Sequence, residues 1–271
     1  MFKKILALLV CIVSLASCQM HAKAGHSAQD VTHLQMVQHL QQSTVALVMP
    51  RCAGITDNNE CIVVHRIYCS GVWISKSKFL TAHHCAQAFI TSQATDEELE
   101  NNEDENLLNK KILFLTRKQI PLDHTSPLIA IPNANEGKII SYDSRNDLAL
   151  IEVPSRHHSD IFVEISEKRL SLGQEIHVIG HTVGIPYTYA HGHISGIRVD
   201  DIGLGPISVL LISAPTYFGN SGGGVFTNDG KLVGICSYLY KKAPMHLNFF
   251  IHRDTVVKFL DNKTPLRPSE D

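Results

Sequence analysis

Gly219-Asn220-Ser221-Gly222-Gly223-Gly224 sets one hydroxyl among four glycines, between the apolar runs Ile207 to Ala214 and Leu232 to Tyr238. The β-branched content and sharp boundaries of those runs predict strands, which makes the glycine stretch a loop between them. Glycine reaches backbone dihedrals closed to other residues and lets amide N–H groups come close to a ligand. A nucleophilic serine needs that arrangement, an exposed hydroxyl with N–H donors beside it for the oxyanion that forms after attack. Taken alone, the stretch reads equally as a flexible glycine turn. The rest of the chain decides.

The chain has 271 residues, room for one large or two small core-bearing units. Hydrophobic residues make up 44% and charged residues 18%, which excludes a disordered chain. A formal net charge of -2 gives no basis for a nucleic-acid partner. Lys3 and Lys4 precede the apolar run Ile5 to Leu15, too short for a stable membrane-spanning helix, and together they form a secretory signal. It ends in Leu15-Ala16-Ser17-Cys18, which resembles a bacterial lipobox and implies cleavage before Cys18 and its lipidation. An ordinary secretory signal with an incidental cysteine is the alternative. By the same analogy Gln19 favours the outer over the inner membrane.

The domain organisation expected is a signal over 1–18, a tether and short helix over 19–42, a globular domain over 43–262 and a tail over 263–271. The helix runs from Asp30, its cap, to Gln42. Export permits disulfides. With Cys11 and Cys18 set aside, Cys52, Cys61, Cys69, Cys85 and Cys236 remain, an odd number that leaves one thiol free. Cys52 and Cys61 bracket a turn-rich segment and predict a stapled hairpin.

Short strand candidates then follow one another: Thr44 to Met49, Ile62 to Tyr68, Ser70 to Ser75 after a break near Gly71, Lys110 to Leu115, Leu128 to Ile131 and Lys138 to Tyr142. They continue with Leu148 to Val153, Glu175 to Gly180, Thr188 to Val199, Ile207 to Ala214 and the hairpin around Asp229-Gly230. One late helix, Arg253 to Leu260, closes the series. Many short strands with a single late helix predict an all-β barrel or sandwich. The acidic run 96–105 is a surface segment, and its spacing matches no calcium loop.

Three stretches carry the chemistry. Thr81-Ala82-His83-His84-Cys85 brings a histidine to the end of a strand, Asn146-Asp147-Leu148-Ala149-Leu150 a carboxylate to the mouth of another, and the glycine loop brings Ser221. The order histidine, aspartate, serine is that of chymotrypsin-type proteases and differs from subtilisins and α/β-hydrolases. In Thr-Ala-x-His-Cys, Asp-Leu-Ala-Leu and Gly-Asn-Ser-Gly-Gly the chain resembles the trypsin-like serine protease family. The resemblance implies an all-β fold of two six-stranded antiparallel β-barrels, with Ser221 as nucleophile, His84 as base and Asp147 orienting the imidazole. His83 is the alternative base and Asp143 the alternative acid. It further implies an oxyanion hole from the Gly219 and Ser221 N–H groups, a Cys69–Cys85 histidine-loop disulfide, a protein or peptide substrate and no cofactor.

Asn220 stands where animal trypsins carry the aspartate that receives a freed N-terminus, so that activation switch is not expected. Val178 to Pro186 and Ala190 to Gly196 resemble the equivalent segment of bacterial HtrA-like proteases. The chain ends after its last helix at Asp271, and a protease domain without an appended PDZ domain is expected. The family's layout puts the primary pocket at Pro215, Thr216, Ser237, Tyr238 and Leu239, with Pro215 at its base, so small or apolar uncharged residues are expected to be preferred. His191 and His193 share a strand face, but His-x-His falls short of the four ligands zinc wants, and no metal is expected. Rival readings are an esterase using the same acyl-transfer groups and a catalytically silent lipoprotein of protease fold that binds peptides or envelope partners.

Overall fold

β-branched residues recur along 44–55 and, joined by Tyr68 and Trp73, along 61–75, and the two runs fold back on each other as a long hairpin. The computed structural model describes residues 28–93, 106–121, 123–124, 126–130, 133–201, 206–237 and 248–261. The signal, Cys18, the acidic run and pocket positions Tyr238 and Leu239 lie outside the described residues. By internal contacts the chain falls into two units, Met1–Gln35 and Met36–Asp271, and the described strands all belong to the second.

The first half of that unit holds β1 (Thr44–Ile55), β2 (Cys61–Ser75), β3 (Lys78–Thr81), β4 (Lys111–Leu115), β5 (Leu128–Ile129), β6 (Asn135–Asp143) and β7 (Leu148–Glu152). Their order is β1-β4-β6-β7-β3-β2-β5, and the β1–β2 pairing closes six of them into a ring with β5 on its edge. The second half holds β8 (Glu175–Gly180), β9 (Thr188–Asp201), β10 (Pro206–Ile212), β11 (Gly224–Phe226), β12 (Leu232–Cys236) and β13 (Asn248–His252). These form a closed barrel in the order β10-β13-β12-β11-β8-β9. The two antiparallel barrels match the expected architecture, and the helix Arg253–Asp261 follows the last strand.

Each barrel has its own interior. Trp73 meets Phe79 and Phe114 edge-on in the first, and the two phenylalanine rings are tilted to each other, with centroids 5.1–5.9 Å apart. Ile176, Val178, Leu210, Val225, Val233 and Phe250 fill the second. A further cluster joins residues of both halves: Val72, Leu80 and Leu148 pack with Ile179, Phe226, Ile235 and Ile251. Leu40, near the end of helix α1 (Ala28–Gln42), is fully buried in that same cluster. This shared apolar seam holds the barrels together, each fully buried aliphatic or aromatic side chain contributing roughly 1.5–3 kcal/mol.

Three local features differ from expectation. β2 runs unbroken through Gly71, and its irregularity is a register shift around Tyr68, between the pairs Leu47–Cys69 and Val48–Ile67. Residues His83–Thr91 form a helix, α2, with Cys85, Ala86, Phe89 and Ile90 buried at helical spacing. The Arg253–Asp261 helix is therefore α3 in chain order. The strand β13 was hidden because its apolar core, Phe249 to Ile251, is too short to read as an alternating run. The cysteines follow expectation: Cys52–Cys61 and Cys69–Cys85 are bonded pairs, and Cys236 is the free cysteine among the described residues.

Candidate active site

Helix α2 starts without a capping side chain of its own. Its N-cap is Ala82, extended at φ -75° and ψ 142°, and it has no side-chain acceptor for the first amides. That role falls to Asp147, 63 residues away: its Oδ1 accepts the His84 backbone N–H at 2.9 Å. The same carboxylate accepts His84 Nδ1–H at 2.8 Å on Oδ2 and 3.0 Å on Oδ1. Asp147 sits at φ +52° in the tight turn before β7, a left-handed conformation that aspartate tolerates better than most residues. Asp143 builds that turn, with Oδ1 accepting Asn146 N–H at 2.9 Å and Oδ2 accepting its side-chain amide at 2.6 Å. The alternative acid is thus committed to the loop. The alternative base, His83, lies against the Tyr142 ring with centroids 5.4 Å apart, and burial lowers its pKa.

The side chain of Asp147 is 3% exposed and that of His84 is 42% exposed, so the carboxylate is sealed while the imidazole reaches solvent. A sealed carboxylate needs donors. Besides His84 it takes the Ser237 hydroxyl at 2.5 Å on Oδ2. With Nδ1–H committed to Asp147, neutral His84 carries its lone pair on Nε2, the state in which an imidazole accepts a proton. Cys236, next to Ser237, is buried, and burial together with the nearby Asp147 charge raises its thiol pKa well above the ordinary value. It is held as a protonated packing residue.

Ser221 comes from the second barrel, in the loop between β10 and β11. Gly222 N–H donates to Cys236 O and Cys236 N–H to Gly223 O, both at 2.8 Å, tying the loop to β12. Gly219 and Gly222 have φ of +95° and +82°. A Cβ at Gly219 would stand 2.1 Å from His181 O, and one at Gly222 2.1 Å from Ser70 O, so both positions require glycine. The Phe218 carbonyl accepts Val183 N–H at 2.6 Å, and in a trans peptide this turns the Gly219 N–H to the opposite side. Among the described residues, the Gly219 and Ser221 N–H groups donate to no protein acceptor. The two barrels bring Ser221 and His84 to one place: His84 Nε2 lies 3.6 Å from Cys85 Sγ, which lies 3.7 Å from Ser221 O. Nε2 and Ser221 Oγ are not hydrogen-bonded to each other, a contact that such sites often close only when substrate is bound.

Asn220 Oδ1 accepts the Thr182 hydroxyl at 3.1 Å. A neutral hydrogen bond within the domain thus stands where trypsins use an ion pair to a new N-terminus. Of the expected pocket residues, Pro215 is exposed and Thr216 half-buried, and the Ser237 hydroxyl turns to Asp147. An apolar rim beside the loop escaped the sequence reading. Tyr217 and Phe218 are 53% and 61% exposed, with rings 5.0 Å apart, and Val183 and Ile185 across the Val183–Phe218 bond are exposed too. Exposed aromatics directly before Gly219 were the available signal. His191 is engaged by Glu175, 2.6 Å from Nε2 to Oε1. The one tight group of possible metal ligands among the described residues is Cys69, His84 and Cys85, whose sulfurs are joined to each other.

His181 lies fully buried behind the loop, and burial pulls its pKa down to about 3. An unfolded chain protonates this residue below about pH 6.5, whereas the folded protein resists until about pH 3. Stability therefore falls as pH drops through that window. Between about pH 8 and about pH 5.5 this group alone removes about 1.4 kcal/mol from urea-unfolding stability. His181→Gln is expected to lose that part of the pH dependence. Equal pH dependence in both proteins would contradict the assignment.

Comparison with known proteins agrees with the geometry. The family model described as "Trypsin-like peptidase domain" matches residues 69–235. A probable periplasmic serine endoprotease DegP-like of Rhizobium meliloti is 31% identical over 109 residues, 40% of this chain and 21% of that protein. The chloroplastic Protease Do-like 1 of Arabidopsis thaliana is 32% identical over 134 residues, 46% of this chain and 30% of that one. The chain thus spans under a third of these relatives' length. Among solved structures, the active form of the M. tuberculosis protease Rv3671c superposes with a TM-score of 0.59 at 17% identity, over 88% of each chain. An HtrA-type protease with a decapeptide superposes with a TM-score of 0.59 at 15% identity, over 85% of this chain and 66% of that one. The family match, covering the histidine, aspartate and serine segments together, places this chain in the trypsin-like peptidase domain family.

Proposed function

We propose that the protein is a serine endopeptidase, with Ser221, His84 and Asp147 as its catalytic triad. The observation that carries the reading is the sealed Asp147 carboxylate holding His84 by both Nδ1–H and the backbone N–H, at the mouth of the Ser221 loop. Ser221 Oγ attacks the peptide carbonyl while its proton passes to His84 Nε2. The carbonyl oxygen becomes an oxyanion held by the Gly219 and Ser221 N–H groups. Collapse breaks the C–N bond, and His84 returns the proton to the leaving amine. Water then attacks the acyl-enzyme by the same route and restores Ser221. Throughout, Asp147 stays ionised and steadies the imidazolium, and Ser237 answers its second oxygen.

The substrate side of the proposal is an extended peptide with small or apolar uncharged residues at the cleavage site. Pro215 at the pocket base supplies no charge to pair with arginine or lysine. The rim of Val183, Ile185, Tyr217 and Phe218 offers apolar surface to the chain on either side of the scissile bond. In its cellular setting the protein is exported and held in the cell envelope by a lipidated Cys18. Two observations support this: the charged-then-apolar leader ending at that cysteine, and similarity to proteins described as periplasmic. Among the described residues no helix is long and apolar enough to cross a membrane.

Turnover of a quenched-fluorescence peptide library by the purified domain tests the catalytic reading. Wild type is expected to cleave after small or apolar residues, Ser221→Ala to show no cleavage above background, and Asp147→Asn to lose on the order of 10⁴ in kcat. Cleavage that survives Ser221→Ala would sink the triad, and cleavage dominated by Arg, Lys or Glu would sink the specificity. The anchor has its own check. Metabolic labelling with a fatty-acid probe in a bacterial host should mark wild type and spare Cys18→Ser, and equal labelling of the two would contradict lipidation at that residue.

A further inference from the structure

Ser70 is fully buried on β2, in the first barrel, yet its backbone N–H and its hydroxyl both reach across to the second, while its carbonyl stays with Thr81. Its backbone N–H donates to Ser221 O at 2.8 Å. Its hydroxyl lies 2.7 Å from Gly219 O, 3.1 Å from His181 N and 2.9 Å from His181 Nδ1. A hydroxyl has one proton to give and two lone pairs to receive with. The Gly219 carbonyl only accepts, so the proton goes there. The His181 backbone N–H only donates, so it takes one lone pair. The remaining lone pair then faces Nδ1, which must carry the hydrogen. The hydrogen bonds thus run in one direction, from imidazole to hydroxyl to the Gly219 carbonyl, an arrangement in which each bond polarises the next.

The same reasoning accounts for an otherwise orphaned atom. His181 Nε2 is buried with no hydrogen-bond partner among the described residues, and the ring meets the Tyr187 ring edge-on with centroids 4.9 Å apart. With the hydrogen on Nδ1, Nε2 is a bare lone pair in apolar surroundings. A second proton there would have no acceptor, in keeping with the low pKa of this histidine.

Gly219 is the weak point of an oxyanion hole, because a glycine at φ +95° has little intrinsic resistance to rotation of its flanking peptides. Here both are held. The Phe218–Gly219 peptide is held through Phe218 O by Val183 N–H, and the Gly219–Asn220 peptide through Gly219 O by Ser70 Oγ–H. From this geometry we infer that Ser70 and His181 are positioning residues, a buried hydroxyl–imidazole pair that fixes the Gly219 N–H for the oxyanion of the tetrahedral intermediate. The inference rests on the reading of Ser221 as nucleophile. Neither residue touches the substrate. They act through Gly219, and a preformed donor contributes only where charge develops, in the transition state.

The test is Ser70→Ala, which deletes the hydroxyl and leaves the backbone N–H on Ser221 in place. Because a displaced donor costs no more than a missing one, kcat should fall by about 10-fold to 100-fold while KM changes by less than about 3-fold. Affinity for a peptidyl boronic acid, which mimics the tetrahedral state, should fall by the same factor as kcat, and affinity for the product peptide should hold. Unchanged kcat, or equal losses of boronate and product affinity, would overturn the assignment. A second measurement is independent of catalysis. In the Ser221→Ala background, Ser70→Ala should shift the Gly219 amide resonance and speed its hydrogen exchange, and the His181 ring should report a neutral Nδ1–H tautomer that loses its hydrogen bond. If wild type shows no Ser221-dependent cleavage, the protease reading fails. The nuclear resonance arm still decides the clasp, since an unmoved Gly219 amide or an Nε2–H tautomer would overturn it.

Discussion

A carboxylate closed off from water must be answered by hydrogen-bond donors, and in this protein the answer to Asp147 organises the site. Its donors come from separate parts of the chain: the first turn of α2, the ring of His84 within that turn, and Ser237 just past the end of β12. The first barrel supplies Asp147 and His84, and the second supplies the hydroxyl that completes the carboxylate's hydrogen bonding. Removing any donor would strand part of a buried charge, so the geometry of the imidazole is set by the same energetics that hold the barrels in register. Helix capping and orientation of the His84 ring are here one interaction. Asp147 accepts the N–H that α2 cannot satisfy for itself, and in doing so brings the ring of His84 within reach.

The second half of the site follows from backbone constraints. Gly219 and Gly222 pass so close to His181 and Ser70 that no side chain fits, and among the described residues the loop they shape leaves the Gly219 and Ser221 N–H groups without an internal acceptor. Such a loop has little to hold it by itself. It is tied on three sides, by β12 through Cys236, by the 181–184 turn through Val183 and Thr182, and by the first barrel through Ser70. These ties are all internal to the domain and mostly neutral, which fits a protease domain that has Asn220 in place of the aspartate used for an N-terminal ion pair. The apolar seam beneath, with Leu80, Leu148, Phe226 and Ile235 in common, gives the two halves a rigid base.

Much of this was legible in the sequence because the chemistry is local. His84, Asp147 and Ser221 each sit in a short segment whose residue types are set by one turn or strand end. Glu175–Gly180 matched its expected bounds because a short apolar run lies between the turn at Gly173 and Gly180. What escaped was of two kinds. Some elements lack a pattern: α2 was concealed behind a strand-like lead-in, and β13 has only a three-residue apolar core. Other features are pairings between distant residues of common types. Nothing near Ser70 marks it as a partner of His181, 111 positions on, or of Gly219, 149 positions on. Ser237 was assigned to the pocket because position along a family layout places a residue, but does not say which way its side chain turns. Exposed Tyr217 and Phe218 looked like loop residues until the Val183–Phe218 bond gathered the rim around them.

In the proposed mechanism a sealed aspartate, acting through His84, makes one particular serine nucleophilic. Intact-mass and peptide mapping after reaction with a fluorophosphonate tests it most directly. The account predicts a single phosphonyl adduct, located on Ser221, which forms at a rate depressed by orders of magnitude in Asp147→Asn although that protein remains folded. An adduct on another residue, or equal labelling rates for the folded wild type and Asp147→Asn, would contradict it.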